Sequence, residues 1–148
     1  MRTSRVLLIT TAVLASVVGL AGPAQAGTSG PGGASSEGGS ASLTWTWAGP
    51  GSMNDIDLQV LDNKCDARGT YAQLVFERRP DYTPRTTPPR WNKIGCNGAQ
   101  PYNDLTFSDD FDLVGFYVRS CTDSNTNNKA DGGDNCGRSG TVPNPLAR

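Results

Sequence analysis

Asp55-Ile56-Asp57-Leu58-Gln59-Val60-Leu61 and Thr70-Tyr71-Ala72-Gln73-Leu74-Val75-Phe76-Glu77 are the runs on which the fold class turns. In the first, Ile56, Leu58 and Val60 alternate with Asp57 and Gln59. In the second, Ala72, Leu74 and Phe76 alternate with Gln73 and Glu77. Successive side chains of a strand point to opposite faces, so this period of two predicts half-buried β-strands. The connection Asp62-Asn63-Lys64-Cys65-Asp66-Ala67-Arg68-Gly69 is rich in turn formers. It predicts that the two strands form a hairpin.

Further strands lie on either side. Upstream, Leu43, Trp45 and Trp47 share one face of a run broken by Gly49-Pro50-Gly51. An aromatic platform for a sugar or peptide and a pair of core tryptophans are both consistent with it, and Leu43 on the same face favours the core. Downstream, Trp91–Cys96 and Leu105–Phe107 are short strand candidates, and Phe111–Ser120 is a longer one with Val114, Phe116 and Val118 expected inward. Gly137–Val142 could add an edge strand before Pro143-Asn144-Pro145. Six or seven short strands with frequent turn signals predict an all-β domain, a small antiparallel β-sandwich over residues 41–142, followed by a tail at 143–148.

Residues 1–26 have the three zones of a cleaved secretory signal peptide: Arg2 and Arg5, an apolar run from Val6 to Leu20, and Ala24-Gln25-Ala26. The apolar run is shorter than the ~20 residues of a spanning helix, so no membrane insertion is expected after cleavage. Residues 27–40, dominated by Gly and Ser, predict a flexible leader. Removing residues 1–26 takes two arginines from the 13 Lys+Arg, against 14 Asp+Glu, so the formal charge moves from −1 to −3. With no basic run longer than Arg78-Arg79, a nucleic-acid partner is not expected.

Cys65, Cys96, Cys121 and Cys136 are an even set in a small secreted domain, which implies two disulfides and allows three pairings. Their separations of 31, 25 and 15 residues lack the close pairs of a zinc site. Cys121 and Cys136 flank a polar loop at a strand end, which favours Cys121–Cys136 and leaves Cys65–Cys96. The second bond would anchor the proline-rich segment between its ends.

That segment, Arg78–Arg90, holds Pro80, Pro84, Pro88 and Pro89, which exclude a helix and a central strand. It carries Arg78, Arg79, Tyr82, Arg85 and Arg90, and Trp91 follows. Together they are the candidate ligand contact, since proline stiffness lowers the ordering cost of binding. The alternative is a solvated loop. A second candidate lies inside the Cys121–Cys136 loop, where Asp123, Asn125, Asn127, Asp131 and Asp134 fall at positions 1, 3, 5, 9 and 12 of a calcium loop. Asn128 stands where glycine is expected and Asp134 where a bidentate Glu is expected, so a plain hydrophilic loop competes with calcium as the reading. Paired carboxylates such as Asp55 and Asp57 could serve glycoside hydrolysis, but no apolar pocket flanks them in sequence. The chain has no histidine, which excludes histidine-dependent triads.

Val60–Leu74, with its Asp62-Asn63-Lys64-Cys65-Asp66 turn, and Tyr117-Val118-Arg119-Ser120-Cys121 followed by Cys136 resemble a loose group of small secreted actinobacterial proteins. The resemblance spans roughly residues 54–137 and implies a disulfide-containing β-sandwich with no settled activity. The function expected is a secreted, non-enzymatic binding protein for an extracellular polymer, such as an anionic cell-wall polymer, or for an acidic protein. A secreted hydrolase inhibitor and a structural envelope protein are the alternatives, with a small glycosidase using Asp pairs behind them.

Overall fold

The computed structural model describes residues 29–148, and the expected signal peptide, residues 1–26, lies outside them. Ten strands follow in order: β1 (Ser29–Ser35), β2 (Gly39–Gly49), β3 (Ser52–Asp62), β4 (Thr70–Arg78), β5 (Pro84–Thr86), β6 (Arg90–Trp91), β7 (Ala99–Ser108), β8 (Leu113–Thr122), β9 (Asn135–Arg138) and β10 (Val142–Pro143). They build two antiparallel sheets. One has the order β1-β2-β3-β7. The other runs β10-β8-β4-β5, with β6 also paired to β4 and β9 to β8.

The sheets pack face to face through the alternating apolar residues that mark each strand. Leu43, Trp45 and Trp47 of β2 and Ile56, Leu58 and Val60 of β3 meet Leu74 and Phe76 of β4 and Phe116 and Val118 of β8. Both tryptophans are core residues. The β-sandwich expected from the alternation is the observed architecture, and the disulfides are Cys65–Cys96 and Cys121–Cys136, the favoured pairing.

Four expectations need correction. First, β3 and β4 do not form a hairpin: they lie in different sheets, and residues 63–69 cross between them. Alternation shows which face a strand buries but not which strand it pairs with. Second, the Gly/Ser-rich stretch is no flexible leader over residues 29–40. Ser29–Ser35 pairs with Ser40–Thr46 in an antiparallel ladder. It needs few apolar side chains of its own, because the Trp45 ring reaches over it: a Cβ added at Gly30 or Gly32 would lie 3.3 or 3.2 Å from that indole. Glu37, in the turn, accepts from Lys64 Nζ at 2.8 Å and Asn135 Nδ2 at 2.9 Å.

Third, the inward set on β8 is Leu113, Phe116 and Val118, with Val114 only half-buried. Glu77 faces Gly115 and Arg78 faces Leu113, so Val114 is the extra residue of a bulge that turns Leu113 inward. Fourth, element boundaries shift. The strand expected over Trp91–Cys96 stops at Trp91, because the Asn92 carboxamide oxygen accepts the N–H groups of Ile94 and Gly95 and closes a turn. The expected Leu105–Phe107 strand extends over Ala99–Ser108, and the expected Gly137–Val142 strand is replaced by β9 and β10. The tail expected to begin at residue 143 is part of the fold: Asn144 is buried and its amide donates to the carbonyls of Gly49 and Pro50 at 3.3 and 3.0 Å.

Candidate functional site

The proline-rich segment supplies the outer edge of the six-stranded sheet. Prolines are tolerated there because an edge strand leaves one side of its backbone unpaired. Arg85 on β5 lies opposite Phe76, and Arg90 on β6 lies opposite Ala72. Directly opposed residues share a face, and Phe76 and Ala72 face the core. Both arginines therefore leave the sheet on its inner side, at the open seam of the sandwich.

Across that seam stands β7, the edge of the other sheet, with Leu105 and Phe107 half-buried. Between the two edges lies a cleft of about 180 Å³. Its apolar lining comes from Ile56, Leu58, Leu74, Leu105 and Phe107; Arg85, Arg90 and Thr86–Pro88 form the other wall. Phe107 is held in place by stacking on Phe76, with ring centroids 3.7 Å apart.

The six expected contact residues do not form one patch. Arg85 and Arg90 flank the cleft. Arg78 is turned back: its Nη1 is 3.8 Å from Asp109 Oδ2 and its guanidinium lies 5.4 Å from the Phe111 ring centroid. Arg85 shares that carboxylate, at 3.5 Å. Arg79 donates to the carbonyl of Arg148. Tyr82 is 59% exposed at the tip of the segment, with φ of 55°. Trp91 lies on the outer face of the sheet, packed on Tyr71 at 4.6 Å.

Arg90 differs from Arg78 and Arg85. Among the described residues no carboxylate stands within ion-pair distance of it. Its guanidinium lies 5.5 Å from the ring centroid of Tyr102. The Tyr102 hydroxyl donates to the Trp91 carbonyl at 2.6 Å, which fixes the ring under the cation. Sequence reading missed the apolar half of this cleft. Leu74, Leu105 and Phe107 read as ordinary strand residues, and only the pairing of strands shows that two edges leave them reachable.

The residues of the calcium candidate are engaged in the loop's own hydrogen bonds. Asp123 is buried, and its two carboxylate oxygens accept from the N–H groups of Asn125 (3.1 Å) and Asn128 (2.6 Å). Asp131 accepts from the Asn125 and Asn127 amides and from Gly133 N–H. Those donors, the Asn125 amide foremost, hold its carboxyl below the usual range. Asp134 accepts from Ser124 N–H, Asp131 N–H and the Tyr71 hydroxyl. Among the described residues no three Asp, Glu, His or Cys side chains are grouped to hold a metal. At Asp123, Asn125, Asn127 and Asp131 a side-chain oxygen closes an Asx turn on the backbone N–H two residues on. Asp57 is likewise engaged, accepting from Asp104 N–H at 3.0 Å.

Tyr71 ties this loop to β4. It is fully buried and donates to Asp134 at 2.7 Å; burial, and then that carboxylate, hold its phenol far above the ordinary value of 10.0. The folded protein therefore keeps a proton that the unfolded chain loses near pH 10. This contribution is intact below pH 10 and is lost as pH rises toward the folded value, at roughly 1.4 kcal/mol per pH unit. Tyr71→Phe should cost about 1.5 kcal/mol at pH 7 by removing a charge-assisted hydrogen bond. It should also flatten the loss of stability above pH 10 in urea unfolding followed by circular dichroism. Parallel curves for the two proteins would show that Tyr71 does not carry this dependence.

No protein-family model, curated protein or solved structure matches the chain.

Proposed function

We propose that this chain is a secreted, non-enzymatic binding protein that holds an anionic extracellular partner, such as a cell-wall polymer, at the edge formed by Pro84–Trp91. One observation carries the reading: two guanidinium groups, Arg85 and Arg90, flank an apolar cleft on a proline-stiffened sheet edge. The rest of the chain has an excess of acidic residues, so this edge is a local concentration of positive charge on an acidic protein. A stiff edge also lowers the ordering cost of association.

Other features agree with this reading. Two disulfides suit an oxidising compartment. Among the described residues no helix is long and apolar enough to cross a membrane. Asp57, Asp123 and Asp131 each accept a backbone N–H group, and the chain has no histidine.

The test is retention on insoluble cell wall, measured by pelleting. Arg85→Glu/Arg90→Glu should lower retention by roughly tenfold or more, since it replaces two attractions by two repulsions. Added salt should release the wild-type protein. Retention unchanged in this variant, at an unchanged melting temperature, would remove the proposal.

A further inference from the structure

We infer that the cleft between β5–β6 and β7 is a site for a small free carboxylic acid with one apolar group: the carboxylate meets Arg90 and the apolar group lies against Leu74, Leu105 and Phe107. The inference rests on the reading of the Pro84–Trp91 edge as a binding surface and names what that edge selects. Three observations carry it.

The first is size. A void of about 150 Å³ lined by apolar side chains suffices for a benzene ring. This cleft measures about 180 Å³. It is large enough for one ring or one chain of about six carbons, and too small for a long acyl chain.

The second is the state of Arg90. A guanidinium at the mouth of an apolar cleft gains most from an anion when no protein carboxylate already neutralises it. Arg85 shares Asp109 with Arg78, whereas Arg90 has no such partner among the described residues. Its guanidinium, 5.5 Å from the Tyr102 ring centroid and without a carboxylate partner among the described residues, can donate two parallel hydrogen bonds to a carboxylate. The cation is oriented before any ligand arrives, because Tyr102 is itself fixed on the Trp91 carbonyl. Less side-chain entropy is then lost on binding.

The third is charge balance. One unpaired guanidinium neutralises one negative charge. A monoanionic carboxylate is matched, while a dianionic phosphate would keep an unpaired charge beside Leu105 and Phe107. Burial of an unpaired charge there is unfavourable.

The probe is hexanoate, added to the protein while the methyl resonances of Leu74 and Leu105 are followed by NMR. Saturable shifts of both are expected. Acetate, which lacks the tail, and 1-hexanol, which lacks the charge, should each bind roughly tenfold or more weakly. Arg90→Gln should weaken hexanoate by about tenfold with no change in melting temperature. Absence of saturable shifts, or equal affinity in the Arg90→Gln protein, overturns the inference. A Gly-Gly-Leu peptide presents a carboxylate beside an apolar side chain at a chain end, and tighter binding of it than of hexanoate overturns the assignment to a free acid. The two proposals fail separately. Wall retention lost in Arg85→Glu/Arg90→Glu, with hexanoate leaving the methyls unmoved, sinks this inference and keeps the binding surface. Saturable hexanoate binding without wall retention keeps this inference and removes the polymer.

Discussion

Phe116→Ala is expected to remove about 3–5 kcal/mol of folding stability, the largest effect of any single substitution proposed for this protein. Phe116 is fully buried on β8 and is the common neighbour of three aromatic rings. Trp45 meets it edge-on at 5.0 Å and 81°, Trp47 at 5.6 Å and 69°, and Phe76 lies 5.8 Å away. Edge-to-face pairs add about 0.5–1.5 kcal/mol beyond the area they bury. The hole left by the ring cannot readily close. Both indoles hang from β2, which is held between β1 and β3, and Phe76 hangs from β4, held between β8 and β5. A domain of this size typically has only about 5–15 kcal/mol in hand, so the variant should sit close to its unfolding threshold. Urea unfolding followed by tryptophan fluorescence measures the shift in midpoint. A loss below about 1 kcal/mol would mean that the three rings collapse into the space and that Phe116 is not the keystone of the core.

The same residue shows how far sequence reaches. Phe116 and Val118 are legible as inward because they alternate with Tyr117 and Arg119, and the facing of each strand depends only on this local period. Val114 breaks the pattern because a bulge opposite Glu77 and Arg78 is set by the partner strand, which periodicity cannot see. The failure at the Gly/Ser stretch has another cause. Gly30 and Gly32 have nothing to bury, but Trp45, fifteen and thirteen residues away, covers them. Composition counts what a segment brings and misses what a neighbour lends. The pairing of the disulfides was legible, since Cys121 and Cys136 close a local loop. The candidate cleft was legible only by half. Arg85 and Arg90 stand out in sequence as charges on a stiff segment. Leu105 and Phe107 do not, because their exposure to the cleft follows from which strands end up at the two sheet edges.

Removing the second disulfide with Cys121→Ala/Cys136→Ala should cost about 3–4 kcal/mol and free one edge of the six-stranded sheet. The chain-entropy model assigns about 3 kcal/mol to a loop of this length. Cys121 is fully buried, so loss of its sulfur adds a small packing cost. The consequences should spread beyond the loop. Cys121 and Cys136 are directly opposed residues of β8 and β9, and β9 has no other strand partner among the described residues. Gly137 on β9 lies so close to the backbone of Ser35 that a Cβ there would overlap it. Asn135 donates to Glu37 in the β1–β2 turn. Release of β9 therefore also loosens residues 36–39, although these lie nearly a hundred positions away in the chain. Hydrogen exchange should show amides of 135–138 losing protection, with those of 36–39 following to a lesser degree. Cys65→Ala/Cys96→Ala is the control. It opens a longer, solvent-exposed link of 31 residues and should lower global stability by a similar amount. It should do so without preferential exchange at 135–138, because that link ties the β3–β4 crossover to the start of β7 and touches neither β8 nor β9. Equal exchange patterns in the two variants would mean that the disulfides act only through the unfolded chain. A pattern confined to the first variant would mean that Cys121–Cys136 also holds native structure in place.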